Sequence, residues 1–207
     1  MVAVTTIDWV RHGQTYANTQ GVIQGQLDTA VTWLTPTGER QAQQRHRQLD
    51  LAPYDRVLVS PLHRAQQTAR WLTADYAGPV TTDPRLMEAA YGTWTGQETA
   101  DLLAQYPTAF DPLTREVRPA VLSRIGGESY LQVQRRLGQV IAELVVDHPH
   151  EHVLVVSHGL TIKNAALLML AAPATLALPE PTNLSLTRTT VDPVTGHRYL
   201  NSYSEPV

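Results

Sequence analysis

Val4-Thr5-Thr6-Ile7-Asp8-Trp9-Val10-Arg11-His12-Gly13 is an apolar, strand-like run that ends on a cation, an imidazole and a glycine. Its composition reads as a buried strand, and Arg11-His12-Gly13 falls where that strand emerges into a loop. Open α/β sheets bind ligands in the crevice beyond the carboxyl ends of their strands. The residue types suit such a place: arginine presents a planar fork of donors to anionic oxygens, and a neutral histidine is a nucleophile near pH 7. A tripeptide alone is weak evidence, and a polar turn after a strand explains it equally well. Partners elsewhere in the chain have to decide.

Outward from this stretch, strand-like and helix-like segments alternate. A helix is expected from Pro36, with Thr35 as its N-cap. Arg56–Ser60 reads as a short strand, with Ser60 capping a helix that Pro61 opens and that runs to about Tyr76. A third strand is expected near Val80–Thr82 and a short helix at Thr99–Tyr106. From Trp94 to about Gly127 the pattern is irregular, with prolines at 107, 112 and 119, as in a cap-like insertion. A helix from Glu128 to about Asp147 puts Leu131, Val133, Leu137, Val140, Ile141 and Leu144 on one face. Val153–Val156 is the strongest strand, and a helix follows it to about Leu170. Leu184–Val191 and His197–Tyr203 form a hairpin about the turn at 192–196. The expected fold is a three-layer α/β/α sandwich with a mainly parallel central sheet. Residues 1–207 form one domain, with the cap at about 94–127.

Composition narrows the function classes. The net charge of -3 offers no broad attraction to nucleic acid or to a membrane surface, so any anion site must be a local concentration of cations. The longest apolar stretch, Ala165–Ala172, is too short to span a bilayer. The absence of cysteine excludes disulfides and thiolate chemistry. With no basic and apolar leader at the N-terminus, the expected location is the cytoplasm. Leu184–Val191, read as an edge strand, leaves room for a homodimer, but the sequence does not fix the oligomeric state.

Three strand ends carry polar groups of one kind: Arg11-His12-Gly13, Ser60-Pro61-Leu62-His63-Arg64 and Ser157-His158-Gly159. In a parallel sheet these ends share an edge, where helix N-termini also favour an anion. Two arginines and two imidazoles around one point would suit a dianionic phosphoryl group. Singly, Arg64 is a solvated helix residue and His158 a hydrogen-bonded turn histidine; at three strand ends together, coincidence is the weaker explanation.

With these motifs the chain resembles the histidine phosphatase superfamily, also called the phosphoglycerate-mutase-like family. The resemblance runs from Val10 to about Asn183. It includes Arg11–Thr15 with Asn18, Gln24-Gly25 with Asp28, Ser60-Pro61-Leu62 with Arg64-Ala65, Leu86-Met87-Glu88, Tyr91-Gly92, Gly126–Ser129 and Val155–Gly159. It implies that His12 is a nucleophile that takes the phosphoryl group, and that Arg11, Arg64 and His158 hold the phosphoryl oxygens. It implies that Glu88 gives a proton to the leaving oxygen, and that Asn18, Gln24 and Gly25 contact phosphate or substrate. No cofactor or metal is implied. The partner is a small phosphorylated substrate.

The chain departs from the family pattern at Gln14, in the extra residues Thr29–Trp33, and at Thr95-Gly96. Trp33 then belongs to the surface and Trp94 to the packing. A phosphomonoesterase fits the modest insertion better than a mutase, which needs a closed, water-free site. Phosphoglycerate mutase-type transfer and a catalytically silent phospho-ligand module are the alternatives. A metal hydrolase built on His12, His158 and Glu88 is disfavoured, since Arg11 and Arg64 would repel the cation. His148-Pro149-His150-Glu151-His152 reads as a solvated turn at the sheet edge opposite the site.

Overall fold

A computed structural model describes residues 4–206; residues 1–3 and 207, the ends of the expected domain, lie outside it. Among the described residues the strands are β1 (Thr5–Arg11), β2 (Arg56–Val59), β3 (Val80–Thr82), β4 (His152–Ser157), β5 (Leu186–Val191) and β6 (Arg198–Glu205). They form one sheet in the order β3-β2-β4-β1-β5-β6. Neighbours from β3 through β1 run parallel, whereas β5 pairs antiparallel with β1 and with β6. The sheet is therefore mixed, with an antiparallel hairpin completing a parallel core. One expectation is corrected here: β5 is bonded on both sides and offers no edge, so the exposed edge on that flank is β6.

The helices are α1 (Tyr16–Gln20), α2 (Pro36–Gln48), α3 (His63–Leu72), α4 (Thr99–Gln105), α5 (Pro119–Leu122), α6 (Tyr130–Asp147) and α7 (Gly159–Met169). Alternation along the strands assigns the two faces. Val10, Val57, Val59, Leu154 and Val156 pack with Ala42 of α2 and with Ala65, Ala69 and Leu72 of α3. Ile7, Trp9, Val153 and Val155 face the other way, into a larger core with α6 and α7. Trp94, Leu102, Phe110, Val117 and Leu122 join this second core. Trp94 stacks on Phe110 at 5.5 Å between ring centroids, so it is a packing residue, as expected.

The local signals had mixed success. Thr35 Oγ1 accepts the Gly38 amide at 3.0 Å with Pro36 opening α2, as its sequence predicts. Ser129 and Gln132 cap α6 reciprocally. Ser60 does not cap α3; the helix begins two residues after Pro61, with Leu62 at its N-cap. Leu131 is 62% exposed, because the buried stripe of α6 runs Tyr130, Val133, Leu137, Val140, Ile141, Leu144 and passes it by about 100°. The segment after β1 holds a short helix, α1, where only a polar loop was expected.

Asp8 is a fully buried carboxylate in a central strand. Arg188 of β5 donates to both its oxygens at 2.7 Å, the Tyr54 hydroxyl donates at 2.6 Å, and His152 Nε2 lies 3.0 Å away. Burial alone would raise its pKa, but these hydrogen bonds outweigh burial and hold it at about 2. The expected solvated turn at 148–152 thus takes part in ion pairing: His152 serves Asp8, while His148 and Glu151 bracket Arg56.

Asp8→Ala is expected to lower stability by about 1.5–3 kcal/mol at pH 7, the range for hydrogen bonds to a charged group. Since the folded pKa lies below the ordinary value of 3.8, this stabilisation is complete above pH 4 and lost as pH falls toward 2. Urea unfolding of wild type and variant across that window checks both the size and the sign.

Candidate active site

β1 and β4 pair in parallel with Arg11 opposite Ser157, so the next residue on each strand is a histidine. The His12 amide extends the ladder to Ser157 O at 3.0 Å, and the two imidazole centroids lie 5.3 Å apart. Asn183 Nδ2 donates to His12 O at 2.7 Å, and the Gly13 amide donates to Thr68 Oγ1 at 3.0 Å. Glycine is required at position 13, since a Cβ there would meet Gly38 O at 2.7 Å.

The tautomer of His12 follows from its partner. Nδ1 lies 2.8 Å from Gly13 O, and a carbonyl only accepts, so Nδ1 carries the proton and Nε2 keeps its lone pair. Burial, then the charges of Arg64 and Arg11, push its pKa well below the usual imidazole value. His12 is therefore neutral at pH 7 with a free ring nitrogen. His158 is neutral for the same reasons, burial first and Arg64 next. Its Nε2 lies 2.6 Å from Ser60 Oγ, which accepts the Leu62 amide at 3.4 Å. When the Ser60 hydroxyl donates to Nε2, Nδ1 is the protonated nitrogen.

Backbone carbonyls fix both guanidinium groups. Arg64 donates from Nη2 to Gly25 O at 2.7 Å and from Nη1 to Leu27 O at 3.0 Å. Burial lowers its pKa only to about 10, so it keeps its charge. Arg11 Nη1 donates to Pro181 O at 2.6 Å, with the Glu180 carboxylate 3.8 Å away. Arg11 Nε, Arg64 Nε and His158 Nδ1 are buried and have no hydrogen-bond partner among the described residues. Buried donors without acceptors are costly. Arg11 and Arg64 share the cavity wall, and both act electrostatically on His12 and His158, so these nitrogens suit an anion.

Glu88 is buried at the start of α7. Its Oε1 faces the Ala89 amide at 2.9 Å, the Thr161 amide at 3.1 Å and the Thr161 hydroxyl at 3.0 Å. Oε2 takes only the Leu160 amide, at 3.2 Å, which leaves it capacity for a further partner. A cavity of about 430 Å³ brings Glu88 together with Arg11, His12, Asn18, Gln24, Gly25 and Arg64. Asn18 Oδ1 is committed to the Thr15 amide in the cap of α1, so only its NH2 group is left for a ligand. Gln24 Oε1 accepts the Thr15 hydroxyl at 3.1 Å. Gly25 acts on Arg64 through its carbonyl.

The sequence-predicted residues Arg11, His12, Asn18, Gln24, Gly25, Arg64 and Glu88 line this cavity, and His158 adjoins it through its ring, 5.3 Å from that of His12. Sequence reasoning missed Ser60 as the partner of His158, Thr161 as a partner of Glu88, and Glu180 beside Arg11. Among the described residues no cluster of three or more His, Asp or Glu side chains is disposed to hold a metal ion.

The sequence model of the histidine phosphatase superfamily (branch 1) matches residues 7–200. The chain belongs to this superfamily. The adenosylcobalamin/alpha-ribazole phosphatase of Escherichia coli K12 is 32% identical over 165 residues, covering 80% of this chain and 79% of the relative. Glucosyl-3-phosphoglycerate phosphatase of Mycobacterium tuberculosis H37Rv is 33% identical over 189 residues, 86% of this chain and 82% of the relative. The solved structure of Bacillus stearothermophilus YhfR has a TM-score of 0.85 at 26% identity, covering 98% of both chains. This superfamily member thus shares its fold end to end with a solved structure, and among its described residues no helix is long and apolar enough to cross a membrane.

Inorganic phosphate at a hundred times its Kd should stabilise the protein by about 2.7 kcal/mol, a rise in Tm of about 5–10 °C for a domain of this size. Arg64→Ala should abolish the rise. Scanning calorimetry with and without phosphate is the measurement, and a wild-type Tm indifferent to phosphate counts against an anion site.

Proposed function

We propose that this protein is a phosphomonoesterase that hydrolyses small phosphorylated metabolites through a phosphohistidine on His12. The observation that carries the reading is the three unpartnered buried donors, on Arg11, Arg64 and His158, grouped around a neutral His12. Phosphoryl transfer asks chiefly for in-line positioning and for compensation of charge on the equatorial oxygens. Fixed N–H donors and two guanidinium groups supply that compensation.

The steps follow from the hydrogen bonds. His12 Nε2 gives its lone pair to phosphorus, and the ester P–O bond breaks with its electrons on the leaving oxygen. An alkoxide leaves poorly, so a proton on Glu88 Oε2, the less occupied oxygen, passes to it. The alcohol departs. Water then attacks the phosphohistidine, the N–P bond breaks, and Glu88 recovers a proton from that water. Asn18 and Gln24 act on the substrate, and Gly25 acts by aiming Arg64. Residues 94–127 serve as the cap, with Phe110, Thr114 and Val117 on the pocket wall. Two relatives named as phosphatases, of adenosylcobalamin/alpha-ribazole and of glucosyl-3-phosphoglycerate, support the hydrolysis of a phosphorylated metabolite.

A panel of phosphomonoesters tests the proposal. Wild-type protein should release phosphate from several without a bisphosphate primer and unaffected by chelator, and His12→Ala should release none. Primer-dependent interconversion of phosphoglycerates without net hydrolysis would instead make it a mutase. Glu88→Gln should slow alkyl phosphates about 10²–10⁴-fold, the usual worth of a general acid. It should slow p-nitrophenyl phosphate at least tenfold less, because that leaving group departs without a proton.

The pH profile gives a separate check. Because the His12 pKa is pushed well below 6.5, its lone pair survives mild acid. After correction for the substrate's own ionisation near pH 6, kcat/KM should not fall between pH 7 and 6. A fall with an apparent pKa near 6.5 would mean that His12 titrates as an ordinary imidazole.

A further inference from the structure

Glu180 is a carboxylate inside the pocket for which the proposed mechanism has no use. It stands in the Pro179-Glu180-Pro181 segment, 3.8 Å from Arg11 Nη1. The fold makes room for it there. A Cβ at Gly159 would fall 2.2 Å from Glu180 Oε2 and 3.1 Å from Arg11 Cζ, so the glycine opening α7 lets this acid lie against the arginine. The Glu180 amide donates to Glu116 Oε1 at 2.6 Å, which fixes the segment to residues 94–127.

Glu180 is the pocket acid that lies against Arg11. Glu116 is neutralised by the buried Lys163, at 2.5 Å. Glu88 is held on the amides of Ala89, Leu160 and Thr161, where the proposed mechanism uses it at the leaving oxygen. Among the described residues Arg11 is the only cation ion-paired with Glu180, and in the proposed mechanism Arg11 also holds the phosphate. Arg115 lines the same cavity but is exposed, where solvent screens its charge.

We propose that Glu180 is a specificity-determining residue that excludes esters with a second anion next to the phosphate and favours those whose alcohol is neutral or cationic there. This rests on the phosphomonoesterase reading above. The repulsion is of the Coulomb kind between like charges a few ångströms apart in a partly dry site. Such a contact acts on binding, so it belongs in KM rather than kcat.

The discrimination should also depend on pH. Burial pushes the Glu180 carboxyl up to about 7, against the opposing pull of Arg11. Glu88 and Glu116 push the same way as burial, and Lys163 opposes them. Tyr91, Tyr130 and Tyr203 pack around this cluster with their own pKa values raised, so they stay uncharged. An acid with a raised pKa is neutral below it and charged above it. Exclusion should then be strong at pH 8 and weak at pH 5.5.

Glycerol 3-phosphate and 3-phosphoglycerate differ chiefly by hydroxymethyl against carboxylate and provide the test, with phosphoethanolamine and phosphoglycolate as a second pair. The second ionisation of each phosphate, shifted by its neighbouring charge, is measured and divided out of each ratio. At pH 8 wild-type kcat/KM should favour glycerol 3-phosphate at least tenfold, through KM, and the ratio should fall below threefold at pH 5.5. In Glu180→Gln the ratio should stay below threefold at both pH values. Calorimetry of the same esters on His12→Ala protein should give the same order of affinities without turnover. A wild-type preference for 3-phosphoglycerate, or a ratio unchanged in Glu180→Gln, overturns the role of Glu180 while leaving the phosphatase reading intact. Failure to hydrolyse any ester, p-nitrophenyl phosphate included, overturns that reading and this one with it.

Discussion

The parallel register of β1 on β4 is the constraint on which the rest depends. Arg11 stands opposite Ser157, so the strands deliver His12 and His158 side by side at one edge. A slip of one residue would exchange the faces of Ile7 and Trp9 with those of Asp8 and Val10, burying a carboxylate in the α6–α7 core. Midway along the same strand Asp8 is bound by His152 of β4 and Arg188 of β5, which pins β1 to both neighbours. The buried acid in mid-strand and the paired imidazoles beyond its end are two consequences of a single alignment.

Concentrating cations at that edge has a cost that the fold offsets locally. Pro181, Gly25 and Leu27 turn their carbonyls to the guanidinium groups, which fixes direction without cancelling charge. The same charges, together with burial, keep both histidines unprotonated. A cationic pocket with a neutral imidazole is a self-consistent arrangement: whatever makes the site attractive to an anion also keeps the His12 lone pair free. Glu180 then adds a negative charge beside Arg11, where it acts on the rest of the ligand.

Much of this was legible in the chain because the signals are local. Val153–Val156, Thr35-Pro36 and the apolar stripe of α6 announce themselves through composition and period. The strand ends carry Arg11-His12, Arg64 and His158, and a parallel sheet brings such ends together by topology alone. What stayed hidden depends on contacts between distant segments. Ser60 looks like a helix cap until His158 is seen 98 residues on, at 2.6 Å. Leu184–Val191 looks like an edge until both its neighbours are known. Glu180 sits between two prolines with no periodicity to mark it, and only the space left by Gly159 shows where it goes. The histidines at 148 and 152 read as solvated because nothing in their own segment shows the acid and the arginine that they meet.

The central claim is that His12 Nε2 carries the phosphoryl group between two chemical steps. Rapid-quench of the enzyme with a ³²P-labelled monoester tests it most directly, with the label mapped by peptide analysis. The account predicts phosphate on His12, stable to alkali and labile to acid, forming and decaying fast enough to account for turnover. Phosphate release at the full rate with no labelled protein, or with the label on any other residue, would contradict it.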